Sequence, residues 1–154
     1  MSFILSCSRR SVLLLPILSL VILLSPSAQS AGDLTQRPDR LPVLTLGKLT
    51  ETELLDYFMA PTEYRLETGK SYRLKVQASG LKEYALQAPE FFSSIYIRKV
   101  EAGGVEIKGV GLSELEFEEE GEAEIFFVPI RSGEFSFYIK GHEKRGMTGV
   151  FIVE

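Results

Sequence analysis

The sequence has one cysteine, one histidine, no tryptophan and no asparagine in 154 residues. Each scarcity excludes something. Without asparagine there is no acceptor for N-glycosylation. A lone histidine, His142, is all that a Ser-His-acid set could draw on, and neither a nucleophile elbow nor a phosphate-cradling glycine loop occurs. Nothing supports hydrolytic catalysis, and the chain reads as a non-enzyme. The one cysteine, Cys7, lies in a segment that export removes. The mature chain therefore has no disulfide, no thiolate ligand and no cysteine nucleophile.

The removed segment is read from its pattern. Arg9 and Arg10 form a positive start, Ser11 to Leu24 is almost wholly apolar, and Ser25-Pro-Ser-Ala28-Gln-Ser30 brings small residues. This is the pattern of a secretory signal peptide cut close to Ser30. The apolar run falls short of the roughly 20 residues that span a bilayer, so cleavage is favoured over a membrane anchor. Ser8-Arg9-Arg10-Ser11 resembles a twin-arginine signal, but paired arginines are ordinary in general secretion, so the route stays open. The expected location is periplasmic or secreted, with no membrane contact after cleavage. Of the 17 Lys and Arg, Arg9 and Arg10 leave with the signal, while all 21 Asp and Glu stay. The formal net charge drops from −4 to near −6, a poor match for nucleic acid.

Beyond residue 30 the chain divides into a stretch at 31–50 and a domain at 51–154. Ala31 to Arg40 is polar and reads as a linker, and Leu41 to Leu46, with Pro42 near its start, as a candidate edge strand. Thr50 and Glu53 stand at capping-box spacing before Leu54 to Phe58, which leaves a helical turn and an irregular strand both open. From Phe58 the pattern has period two. Tyr64 and Leu66 alternate with Arg65 and Glu67; Tyr72, Leu74 and Val76 with Arg73, Lys75 and Gln77; Ala123, Ile125 and Phe127 face one way; so do Phe135, Phe137 and Ile139. Turn signals recur every eight to twelve residues. Seven or eight short strands of this kind predict an all-β sandwich with an aromatic core.

The last twenty residues are the most specific stretch. Two residues separate Ile139 from His142, and four separate His142 from Met147, before a closing strand at Val150 to Val153. This resembles the ligand loop of the cupredoxins, the plastocyanin-like blue-copper proteins, which reads Cys-x2-His-x4-Met. The resemblance extends upstream. Phe58-x-x-Pro61 with Tyr64-x-Leu66-x-x-Gly69-x-x-Tyr72-x-Leu74-x-Val76 looks like the family's opening hairpin. Tyr84-Ala-Leu-Gln-Ala-Pro89-Glu90-Phe91 looks like its His-Ser-Phe-x-x-Pro-Glu-Phe segment. It implies a cupredoxin-like Greek-key β-sandwich over Phe58 to Glu154.

It also implies a ligand set, and here the chain departs. The family's first His falls at Tyr84 and its Cys at Ile139; the second His and the axial Met are kept as His142 and Met147. A blue-copper centre needs two imidazoles and a thiolate in a plane with a weak axial thioether. The expectation is a degenerate member with no resident cofactor, acting as a non-catalytic binding or accessory module. In it Ile139 extends the core, Tyr84 fills the adjacent space and hydrogen-bonds His142, and Met147 packs as an apolar side chain. The alternative is a copper carrier whose rebuilt metal site uses His142 and Met147, a soft pair suited to Cu(I), with Glu143 or Tyr84 adding an oxygen. Separately, Glu114, Glu116, Glu118, Glu119, Glu120, Glu122 and Glu124 form an acidic patch on one expected hairpin. It reads as a solvated edge or as a docking surface for a basic protein partner.

Overall fold

The computed structural model describes residues 37–154, apart from 51 and 110. The expected signal peptide and the start of the linker lie outside the described residues. Among the described residues twelve strands build two facing sheets, more than the seven or eight expected. One sheet holds β1 (Asp39–Arg40), β2 (Leu44–Leu49), β3 (Leu54–Ala60), β5 (Tyr72–Ala78), β7 (Ile95–Ala102), β8 (Val105–Ile107) and β10 (Gly121–Pro129). Its order is β3-β2-β5-β10-β7-β8, with β1 also on β5. The other sheet runs β4 (Glu63–Leu66), β12 (Thr148–Val153), β11 (Gly133–Ile139), β6 (Tyr84–Gln87), β9 (Glu114–Phe117).

Alternation makes the sandwich. Tyr72, Leu74, Val76 and Ala78 turn inward from β5, and Ala123, Ile125 and Phe127 from β10; Phe135, Phe137 and Ile139 answer from β11. Arg73 and Lys75, on the wet face of β5, meet Glu124 and Glu122 across the ladder to β10. Between the sheets an aromatic stack forms the densest core. A short helix, α1 (Pro89–Phe92), drops Phe91 face-on against Phe151, centroids 4.0 Å apart and planes at 13°. Phe127 meets Phe91 edge-on at 5.4 Å, and Phe137 lies 4.7 Å from Phe151.

Two local expectations change, and between them the alternative left open at Thr50 to Phe58 is decided for a strand. Of the candidate edge strand at Leu41 to Leu46, the part that enters β2 lies inside the sheet rather than at its edge. β1 and β2 lie in succession along β5, with Leu41 to Val43 as the interruption, and β3 covers the other side of β2. Thr50 and Glu53 make no helix start. Thr50 Oγ1 accepts from the Glu53 amide at 2.9 Å, while the Thr50 amide donates to the Glu53 carbonyl at 3.0 Å, closing a turn into β3. The segments on either side of Thr68-Gly69 form no hairpin. β4 and β5 lie in opposite sheets, because the turn carries the chain across the sandwich.

Candidate functional site

The loop between β11 and β12 keeps the compact form that its spacing implies. The Ile139 amide donates to the Met147 carbonyl at 3.0 Å and the His142 amide to the Ile139 carbonyl at 2.9 Å. A single 3-10 turn, Glu143–Arg145, fills the middle and ends at Gly146. One residue past Ile139, the Lys140 amide donates to the Ala85 carbonyl at 3.0 Å, tying the loop to β6 beside Tyr84. Tyr84, Ile139, His142 and Met147 therefore gather at one end of the sandwich.

The four side chains part company there. Tyr84, Ile139 and Met147 each have 0% exposure and belong to the continuous hydrophobic core. His142 is only half-buried, on the outer side of the loop. The expected hydrogen bond from Tyr84 to His142 is not formed. The Tyr84 hydroxyl donates instead to the Asp56 carbonyl at 2.8 Å, because β3 runs past the end of its ring. It also touches Ser79 and the bulge at Gly47, where β2 slips register against β3 between Leu46 and Lys48. Burial pushes the Tyr84 hydroxyl pKa up, with the Ser79 hydrogen bond opposing.

His142 finds a different neighbour, one the sequence did not single out. Its ring meets Tyr57 of β3 edge-on, centroids 5.2 Å apart and planes at 79°. Tyr57 also carries two cations: the Arg145 guanidinium 4.4 Å from its centroid and the Lys82 ammonium at 5.5 Å. Lys82 is ion-paired with Asp56 at 3.3 Å. The adjacent residues Asp56 and Tyr57 thus hold both halves of the site, the buried tyrosine and the half-exposed imidazole. Only the ambiguity of residues 50–58 marked this segment in the sequence. Beside His142 opens a shallow groove of about 570 Å³, with Ala85 as floor and Lys82, Glu83, Glu116 and Lys140 around it. Among the described residues no three His, Cys, Asp or Glu side chains come together as a metal-holding group.

The acidic run is not one hairpin. Glu114 and Glu116 sit on β9 in one sheet and Glu122 and Glu124 on β10 in the other, so residues 118–120 cross between sheets and Gly121 ends the crossing. Several of its charges are engaged. Glu124 pairs with Arg73, Glu122 with Lys75, and Glu114 accepts from Gln87 Nε2 at 2.8 Å with Lys140 at 3.7 Å. Glu116 and Glu118 to Glu120 make no ion pair among the described residues, and Glu118 to Glu120 form the exposed connection itself.

This architecture is a cupredoxin-like β-sandwich. Its likeness to solved structures is clear in shape and slight in sequence. A multicopper oxidase from Campylobacter jejuni, described as a metallo-oxidase, matches with a TM-score of 0.51 at 11% identity, over 77% of this chain and 31% of that one. A second multicopper oxidase matches at 0.53 and 11%, over 75% and 44%. One from Pediococcus acidilactici matches at 0.51 and 12%, over 95% and 31%. The chain thus spans less than half the length of each. No protein-family model matches the sequence, and no curated protein does. Among the described residues no helix is long and apolar enough to cross a membrane.

Proposed function

We propose that this is an exported cupredoxin-like protein that lacks a type-1 copper centre and serves as a non-catalytic binding or accessory module. One observation carries the reading: the volume at the ligand positions is filled by hydrocarbon and a committed hydroxyl. Ile139 offers no donor atom, Tyr84 spends its hydroxyl on Asp56, and Met147 has no exposed surface. His142 is left as the one accessible imidazole, and one imidazole with a buried thioether under-coordinates copper. The residues therefore do not fit the centre that the fold family implies, and no redox step is derived through it. The periplasm or the extracellular space is the compartment the leader implies. The acidic connection Glu118 to Glu120, with Glu116, remains available to a basic partner.

A copper titration of the mature protein tests this, under oxidising and reducing conditions, with His142→Ala and Met147→Ala as controls. The expected result is no stoichiometric binding at micromolar metal. Binding of one Cu(I), lost in both variants, would overturn the reading in favour of a copper carrier built on His142 and Met147.

A further inference from the structure

The unguarded edge of the larger sheet is β3, and its chemistry differs from that of every other edge. β4 presents Glu63 and Arg65, and β9 presents Glu114 and Glu116, charges that discourage strand addition. β8 has only three residues, and β1 only two. β3 has seven, without proline, and one charge, Asp56, already matched by Lys82. Leu54 and Leu55 stand 64% and 38% exposed, next to the half-buried rings of Tyr57 and Phe58. Together they line a shallow groove of about 450 Å³.

The rim of this groove is cationic. The Lys48 ammonium lies 5.5 Å above the Phe58 ring, and the Arg145 guanidinium lies over Tyr57. Neither makes an ion pair among the described residues; Glu53 stands just before the strand. We infer that β3 is the docking edge for an extended acidic-apolar segment of a partner protein, added as a further strand. Main-chain pairing along β3 supplies affinity, Leu54 and Leu55 take the apolar side chains, and Lys48 and Arg145 take the carboxylates. Area decides against a second folded copy as occupant. Two leucines and parts of two rings expose on the order of 300 Å², against about 800 Å² per partner in a stable folded interface.

This deepens the accessory-module reading and rests on it, but its test is separate from the copper titration. The isotope-labelled protein is titrated with an octapeptide alternating valine and glutamate, and with its valine-lysine counterpart. The valine-glutamate peptide is expected to protect β3 amides from exchange and to bind at least tenfold more tightly than the lysine peptide. Lys48→Glu with Arg145→Glu should reverse that preference, and Leu54→Thr with Leu55→Thr should weaken both peptides at least tenfold. Equal binding of the two peptides, or none at β3, overturns the proposal. So does concentration-dependent dimerisation that protects β3 without peptide. Lysine-peptide binding confined to Glu116 and Glu118 to Glu120 would also overturn it, while leaving the accessory reading intact.

Discussion

Gly47→Ala measures how tightly Tyr84 fills the end of the sandwich. Gly47 is buried in the β2 bulge at φ +65°, a left-handed conformation that costs a residue with a Cβ about 1–2 kcal/mol. An ideal Cβ there would stand under 3.0 Å from both the Tyr84 hydroxyl and Ser79 Oγ, closer than real Cβ contacts come. Tyr84 cannot swing away, since it has no exposed surface and its hydroxyl is bonded to Asp56. Overpacking of this kind costs about 1–3 kcal/mol. The expected loss is therefore ~2–5 kcal/mol in urea unfolding, with the m-value unchanged. Tyr84→Phe alone should cost about 1 kcal/mol, through the hydrogen bond to Asp56. In the Tyr84→Phe background the hydroxyl collision is gone, while the backbone strain, the Ser79 contact and a tight 3.0 Å approach to the ring Cζ remain. Gly47→Ala should then cost about 1–2 kcal/mol less than in the wild type, a coupling that a double-mutant cycle resolves. Equal costs in the two backgrounds would show that the Tyr84 hydroxyl does not occupy this space.

The loop side chains should rank by burial. Ile139→Ala and Met147→Ala should each cost ~2–5 kcal/mol, and His142→Ala under about 1.5 kcal/mol, since it loses chiefly an edge contact with Tyr57. Chemical denaturation of the three variants checks the order. Alkaline stability tests the buried tyrosines: burial raises the pKa of Tyr64, Tyr72 and Tyr84 above the ordinary 10.0. The native state then keeps protons that the unfolded chain releases. The associated stability is whole below pH 10 and falls above it, at up to ~1.4 kcal/mol per pH unit for each tyrosine. Tyr64→Phe should flatten that decline by up to one such slope, read as Tm between pH 9 and 12. It should also lower stability near pH 8 by about 1 kcal/mol, through the lost bond to the Pro42 carbonyl.

What was legible in the sequence follows from which face a side chain shows. β5, β10 and β11 each have one dry and one wet side, so Tyr72, Leu74, Val76, Ala123, Ile125, Phe135 and Phe137 declare the core by period two alone. The turn between β11 and β12 was legible through its resemblance to the cupredoxin ligand loop, whose spacing Ile139, His142 and Met147 keep. β2 and β3 were not. Gly47 makes a bulge that resets the alternation, and the resulting exposure of both Leu54 and Leu55 breaks the strand signature. Sheet membership was hidden for a different reason. A turn such as Thr68-Gly69, or the one ending at Gly121, looks the same in sequence whether the chain folds back beside itself or crosses to the facing sheet.

That last ambiguity decides how the acidic run is read. Taken along the chain, seven glutamates make one patch. Taken in space, Glu122 and Glu124 join a charge ladder with Lys75 and Arg73 on one sheet, and Glu114 joins Gln87 and Lys140 on the other. Part of the run therefore supports cross-strand pairing, and the unpaired charge shrinks to Glu116 and the crossing at Glu118 to Glu120. Glu120 lines a groove with Lys48, whose ammonium also overlies Phe58 of β3. The acidic crossing and the cationic rim of the β3 edge are thus near neighbours at the His142 end. A partner strand on β3 would feel both fields at once. Its charge order along the strand, more than its net charge, should then set which segments bind, because carboxylates are welcome beside Lys48 and Arg145 and are repelled one step further on, at Glu120.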